Sequence, residues 1–367
     1  MLLGLLALCI WVYLVAAHGR FWSSSPELAP AISVEHPDVD VIVPARDEAA
    51  TIAASIASLL TQDYPGGFRV TLVDDQSSDD TAALAGAHPK LQILRLTSKP
   101  PQWSGKLWAL DRGTAATHAP LILFTDADIV HDPRHLSTLV AKLIGGRLAL
   151  VSEMVRLNCE SLAERALVPA FVYFFQMLYP FRRVNDAHSR LAAAAGGTVL
   201  IRREVLESIG GIAAIRQQLI DDVSLAKEVK KRGGIYLGHS ALARSIRPYP
   251  GFAAIWDMIA RTAYTQLRYS VGLLLATLGA LTLVWWVPPW EAIFGHGVGR
   301  VFGLAACLLA AVTYLPTLLR YRRSPLWVLA LPLIALFYMA ATFASAVNHW
   351  RGSGASWKNR SYEKEDV

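Results

Sequence analysis

Residues 121–128 read LILFTDAD: four apolar residues and a Thr run straight into two carboxylates, Asp126 and Asp128, spaced one apart. A short apolar run ending in turn residues is a buried strand. Acids at its C-terminal edge either begin a turn or hold a cation. The upstream sequence has the same layout. Residues 39–44 (VDVIVP) are β-rich and precede a helical pattern over 48–60, and 70–73 (VTLV) lead into Asp74-Asp75 with a helix start at Asp79. A third strand, 91–96 (LQILRL), is followed by a helical stretch over 106–117. Strands alternating with helices predict an α/β domain with a Rossmann-like, mostly parallel sheet, whose ligands sit beyond the carboxyl ends of the strands.

Three of those strand ends carry polar clusters: Arg46-Asp47-Glu48, Asp74-Asp75-Gln76 and Asp126-Ala127-Asp128. The fold rule brings them to one face. Each also has a local reading. Asp47 and Asp79 suit helix caps, Asp74-Asp75 suits a turn, and Asp126 or Asp128 suits a cap for the helix that Pro133 begins. Capping uses one carboxylate per helix, and this face supplies several more. Gathered acids repel one another unless they share cations or bind a ligand.

The chain has 367 residues, 53% of them hydrophobic, with a mean hydropathy of +0.34, so membrane segments are expected. Residues 1–17 are almost wholly apolar and end at His18-Gly19-Arg20. Val15-Ala16-Ala17 resembles a signal cleavage site, but no Lys or Arg precedes the run, which favours an uncleaved transmembrane helix within 1–20. Three further runs, 271–288, 301–319 and 326–347, lack Lys, Arg, Asp and Glu. Their lengths suit a hydrocarbon core of about 30 Å. The expected organisation is an N-terminal span (1–20), a central α/β domain (38–250), an interfacial amphipathic helix (251–270), three spans (271–347) and a polar tail (348–367).

Arg20, Arg261 and Arg268 flank the central domain, Arg320, Arg322 and Arg323 occupy one short turn, and 290–299 hold no Lys or Arg. The positive-inside rule then places the domain in the cytoplasm and the N-terminus outside. Arg351, Lys358, Arg360 and Lys364 in the tail conflict with four full crossings. Cys9 and Cys307 lie in apolar runs and Cys159 stands alone, so neither a disulfide framework nor a thiolate metal site is expected. The net charge of +6 fits juxtamembrane basics facing anionic lipid, and no nucleic-acid-binding motif is present.

VIVPARDE, VDDQSSDDT, WSGKLWAL, TDAD, GGTVLIRREVLESIGG and LIDDVSLAKEVKKRG, in that order, resemble the family 2 glycosyltransferases of GT-A fold over about residues 38–250. HGRFW, VPAFVYFFQMLYPF and WDMIARTAYTQLRYS are similar to the narrower group of hopene-associated glycosyltransferases of bacterial hopanoid biosynthesis; ceramide glucosyltransferases are more distant. The resemblance implies a nucleotide-sugar donor, typically a UDP-sugar, bound by Pro44, Ala45, Glu48 and Asp75, with Lys106 near the nucleotide. Asp75 is an acceptor-only group suited to the uracil N3–H. Asp128 matches the direct ligand of Mg²⁺ or Mn²⁺, with Asp126 beside the ribose and metal, the ion stabilising the diphosphate leaving group. Asp222, in LIDD, matches the base that deprotonates the acceptor hydroxyl in an inverting transfer; a helix cap is the other role for Asp221 or Asp222.

The sequence departs from the Q/R-x-x-R-W motif of many relatives. It spaces Asp257, Arg261, Tyr264 and Arg268 on one expected helical face, where Arg261 and Arg268 suit either the pyrophosphate or lipid headgroups. Residues 166–181 (ALVPAFVYFFQMLYPF) are too short and interrupted for a span, and read as core or as the floor of a lipid cleft. The expectation is a multi-pass enzyme of the bacterial inner membrane, with its domain facing the cytoplasm, glycosylating a lipid acceptor. A hopanoid follows from the resemblance alone. A carotenoid, a ceramide-like lipid or a polyprenyl phosphate is the alternative acceptor, and a non-catalytic scaffold of hopanoid production is the alternative class.

Overall fold

The structure, a computed structural model, describes residues 1–352, 356–357 and 360–361. The chain groups into two compact units, one formed by Ser25–Asn158, Val184–Arg247 and the described residues from Ser356 onward, the other by the described residues of Met1–Ser24, Cys159–Arg183 and Pro248–Ala355. In chain order, α1 is Leu2–Ala16, β1 Val39–Ala45, α2 Ile52–Leu60, β2 Phe68–Asp74, α3 Thr81–Leu84, β3 Leu91–Arg95, α4 Gly105–Ala115 and β4 Leu121–Thr125. Next come β5 (Ile129–His131), α5 (His135–Gly145), β6 (Leu150–Arg156), α6 (Leu162–Leu178), α7 (Phe181–Asn185), β7 (Thr198–Arg202), α8 (Arg203–Ser208), α9 (Asp221–Lys230) and β8 (Ile235–Ser245). The remaining helices are α10 (Phe252–Gln266), α11 (Val271–Trp285), α12 (Val287–Phe294), α13 (Gly297–Arg320) and α14 (Leu331–Trp350).

The first unit is built on an eight-stranded sheet of order β3-β2-β1-β4-β7-β6-β8-β5. β1 pairs in parallel with β2 and β4, β2 with β3 and β6 with β8; β7 runs antiparallel to β4 and β6, and β5 to β8. The expected mostly parallel α/β sheet is the observed one. Every residue of β1 is buried, as in a sheet covered on both faces. Val39, Val41 and Val43 on one face pack with Ile52, Ile56 and Leu59 of α2 and with Leu136, Leu139 and Leu143 of α5. On the other face α4 lies so close to the sheet that a Cβ on Gly113 would stand 2.5 Å from Ile42 Cγ2 and 3.0 Å from Val73 Cγ2. The absent side chain there sets the helix–sheet spacing.

The second unit is helical. Three segments, Val271–Phe294, Gly297–Arg320 and Pro325–Trp350, are long and apolar enough to cross a membrane. Pro288 and Pro289 follow the break between α11 and α12, where proline cannot supply interior backbone donors. The expected N-terminal apolar helix is α1, with 15 residues, or about 22 Å at 1.5 Å per residue, shorter than the other three segments. The stretch read as core or cleft floor is α6, capped by a reciprocal Ser161–Glu164 box and buried along much of its length. Tyr173 Oη bonds Thr313 Oγ1 at 2.8 Å and Gln176 donates to Phe21 O at 2.9 Å, so α6 is an internal element of this unit.

The expected face of Asp257, Arg261, Tyr264 and Arg268 does not form. α10 ends at Gln266, and Arg268 (φ 52°) and Tyr269 (φ 55°) turn the chain before Ser270 caps α11. Tyr264 is buried, donating its hydroxyl to Tyr269 O at 2.7 Å, whereas Arg261 and Arg268 are exposed. Of the tail's basic residues, Lys358 and Lys364 lie outside the described residues.

Candidate active site

Topology gathers the acids. β1 and β4 are parallel neighbours, so the residues following each strand emerge side by side. β7 runs back against β4 with Thr198 opposite Thr125, which puts Gly196 and Gly197 beside Asp126. β8 runs against β5 with Ser245 opposite Ile129, and the Ile246 N–H donates to Asp128 O at 2.9 Å. The stretch leaving β8 is thereby drawn up to the end of the TDAD string.

Lys106 lies in the first turn of α4, whose N-cap Ser104 accepts the Leu107 N–H at 3.2 Å. Its ammonium is 2.9 Å from Asp126 Oδ1 and 3.3 Å from Asp221 Oδ2. Burial opposes the Lys106 charge, but Asp126 and Asp221 outweigh it and hold the ammonium above the usual lysine range. Asp221 and Asp222 open α9, whose N-cap position is Ile220. Asp222 Oδ2 accepts the Gly196 N–H at 2.8 Å and Oδ1 the Val223 N–H at 2.7 Å. Burial, then the neighbouring Asp221, pushes the Asp222 carboxyl up to about 7, against the opposing pull of Lys106 and the two backbone donors. Pro44, Lys106, Phe124, Asp126, Gly196 and Asp222 line one cavity. A carboxyl that titrates near neutrality at a cavity wall suits proton transfer.

A second centre surrounds Arg247. Its Nε lies 2.7 Å from Asp128 Oδ2 and a terminal nitrogen 2.5 Å from Glu48 Oε1, while Ser245 Oγ is 3.3 Å from Asp128 Oδ2. Glu48 and Asp128 are both buried. Asp75 is fully buried at the end of β2, with its N–H on Ala45 O at 2.9 Å and its carbonyl accepting from Arg46 at 2.5 Å. Pro44 and Ala45 are the last two residues of β1, inside the strand.

The local readings divide. Asp47 does not cap α2; at φ 51° its carboxylate accepts the Ser78 N–H at 2.7 Å and ties two strand ends together. Asp79 accepts the Thr81 N–H at 3.0 Å and serves α3. Asp132, not Asp126 or Asp128, accepts the Arg134 N–H at the start of α5. Released from capping, Asp126 and Asp128 engage Lys106 and Arg247. Arg261 and Arg268 belong to the helical unit.

Several supporting residues escaped the sequence reading. Arg247 follows the β-rich run of 235–245 and precedes Pro248, an end-of-strand position whose signal was available. Gly196 lay within a quoted motif with no role attached. Beneath the TDAD strand, Thr125 Oγ1 donates to Gly197 O at 2.9 Å and lies 3.1 Å from His131 Nε2. His131 Nδ1 is 2.8 Å from His135 Nδ1, and His135 Nε2 is 2.9 Å from Glu153 Oε2. Burial and the adjacent His135 hold His131 well below the usual histidine range. This buried chain anchors the end of β4 to the Gly196–Gly197 turn.

Asp126 and Asp128 fit a hard divalent cation by their chemistry: two carboxylates at one strand end, each already facing a cation of the chain itself. Among the described residues, no group of three or more His, Cys, Asp or Glu could hold a metal ion. A divalent ion here would take one or two carboxylates and complete its shell from water and substrate phosphate, the usual Mg²⁺ arrangement.

An α/β sheet ending in paired acids, with a third acid at a facing helix start, is the arrangement of a GT-A-like fold. Residues 40–210 match the sequence model of glycosyl transferase family 2, and it is this segment that carries the family 2 glycosyltransferase assignment. The chain is 28% identical over 225 residues to a β-monoglucosyldiacylglycerol synthase of Synechocystis sp., covering 56% of this chain and 44% of the relative. It is 25% identical over 231 residues to the probable glycosyltransferase YdaM of Bacillus subtilis, covering 61% and 51%. The chain thus spans about half the length of these curated relatives. The mannosyltransferase PcManGT of Pyrobaculum calidifontis, solved with GDP-Man and Mn²⁺, shares the fold at a TM-score of 0.58 and 22% identity, over 94% of this chain and 99% of that one.

Proposed function

We propose that this protein transfers a sugar from a nucleotide-sugar donor, UDP-linked, to a hydroxyl of a membrane lipid, with inversion at the anomeric carbon. The observation that carries the reading is Asp222, held by two backbone N–H groups, titrating near neutrality and lining one cavity with Lys106 and Asp126. Asp222 removes the acceptor hydroxyl proton as that oxygen attacks the sugar. Pro44, Ala45, Glu48 and Asp75 bind the nucleoside side of the donor, and Lys106 and Asp126 the ribose–diphosphate side. Asp128, with Asp126, would hold Mg²⁺ or Mn²⁺, which would neutralise charge on the departing diphosphate. Lys106, tied to both Asp126 and Asp221, keeps the donor side in register with the base.

A lipid acceptor is supported by the three span-length helices and by relatives named as glucosyldiacylglycerol synthases. We place the protein in the bacterial inner membrane with its catalytic domain facing the cytoplasm, in line with the arginines beside the spans. The acceptor we favour is a hopanoid, on the strength of HGRFW, VPAFVYFFQMLYPF and WDMIARTAYTQLRYS. Diacylglycerol is the second reading, favoured by the names of those relatives.

Membranes containing the wild type or Asp222→Asn, incubated with labelled nucleotide sugars and extracted for lipid mass analysis, test the proposal. A labelled triterpenoid formed only by the wild type supports a hopanoid acceptor, and a labelled diacylglycerol supports the second reading. Equal labelling by both proteins removes Asp222 as the base. No labelled lipid from any donor favours the scaffold reading.

A further inference from the structure

We infer that Arg247 is a resident counter-cation of the donor site: it holds Asp128 and Glu48 in the free protein and yields Asp128 to a divalent ion when a nucleoside diphosphate takes over its guanidinium. The inference rests on the proposed metal role of Asp128. Arg247 joins acids from different strand ends, Glu48 after β1 and Asp128 after β4, at 2.5 and 2.7 Å. The two acid side chains are each 9% exposed, against 33% for that of Arg247. Buried carboxylates are costly to leave unpaired, so the guanidinium can withdraw only as another cation arrives. Arginine does not deprotonate, so the exchange is cation for cation rather than a proton step.

Asp128 is bound to Arg247, to Ser245 and, through its carbonyl, to the Ile246 N–H. A bare divalent ion approaching it meets the guanidinium's positive charge. An ion arriving with a diphosphate does not, because the phosphate oxygens offer Arg247 a bidentate partner as Asp128 is released. Arg247 therefore makes metal and diphosphate binding depend on one another, a reciprocal coupling. It is a donor-positioning residue that the acid motifs do not reveal.

The test uses the full chain in detergent, with Mn²⁺ binding read by the loss of free-ion electron paramagnetic resonance signal, alone and with UDP or uridine. For the wild type, UDP should tighten Mn²⁺ binding at least about tenfold and uridine should not, within the usual range of coupling between ligands. Arg247→Gln should tighten Mn²⁺ binding without nucleotide by at least about tenfold and reduce the UDP effect to under about threefold, since one ligand no longer clears the way for the other. Arg247→Lys, which keeps the charge, should stay close to the wild type without nucleotide. Unchanged Mn²⁺ affinity in Arg247→Gln, with Mn²⁺ still bound alongside UDP, overturns the inference and leaves the metal reading standing. UDP binding with no Mn²⁺ bound by either protein overturns the metal reading and the inference with it. If Arg247→Gln does not fold, the wild type decides: equal Mn²⁺ affinity with UDP and with uridine overturns the inference.

Discussion

Two cations stand at the carboxyl edge of the sheet, Lys106 between Asp126 and Asp221, and Arg247 between Asp128 and Glu48. Around Lys106 a third acid, Asp222, adds charge that one ammonium does not balance, and that acid retains a proton near neutrality. Around Arg247 two buried carboxylates face one guanidinium whose planar fork bonds both. The residue types suit the difference. Lysine is a compact point charge that allows its neighbours to titrate, whereas arginine is a rigid donor that fixes geometry. One centre is built to move a proton and the other to exchange a cation.

The largest effect separating them is expected from Asp222→Asn, which should lower transfer by about 10²–10⁴-fold, the usual worth of a positioned acid or base. UDP binding should persist, measured by calorimetry on the same preparation; a variant that stays active would break the assignment of proton transfer to the Lys106 centre. Asp128→Asn comes next. Losing a charged contact is worth about 1.5–3 kcal/mol, so Mn²⁺-dependent UDP affinity should fall about 10–150-fold. The pH dependence of any residual transfer should stay where the wild type has it.

That pH dependence sharpens the contrast. Transfer should fall as pH drops below about 7, where Asp222 takes up its proton. Asp221 raises that carboxyl, so Asp221→Asn should move the acidic limb of kcat/KM to lower pH, while Glu48→Gln should leave it in place. A limb displaced equally by both variants would merge the two centres into one.

The same shift predicts a stability effect. The folded Asp222 carboxyl lies above its unfolded value, so its contribution is full at low pH and is lost as pH rises through about 7. Asparagine never ionises. Asp222→Asn should therefore melt higher than the wild type above pH 7 and match it near pH 3.8, the unfolded value. The smallest effect on the contrast belongs to Gly113→Ala. Its Cβ would meet Ile42, and overpacking of this kind costs about 1–3 kcal/mol. Melting should fall with no change in the pH limb, since both centres share that scaffold.

Much of this architecture was legible before any coordinates. Short apolar runs and the acids at their ends foretold β1, β2, β4 and the edge on which Glu48, Asp75, Asp126 and Asp128 meet. The long uncharged runs foretold the three span-length helices. The reading faltered where a local pattern depends on a non-local neighbour. The helical spacing from Asp257 to Arg268 was real, but the chain turns at Arg268 and Tyr269, and Tyr264 is buried away from its expected companions.

Backbone alternation, apolar periodicity and acid spacing are properties of adjacent residues, so the sequence alone determined the fold class, the strand ends and the membrane-length helices. Which cation meets which acid is a property of strand order. Only the antiparallel return of β7 puts Gly196 on Asp222, and only the pairing of β8 with β5 carries Arg247 to Asp128, 119 residues away in the chain. Those partners are distant in sequence, and their pairing comes from sheet topology and burial.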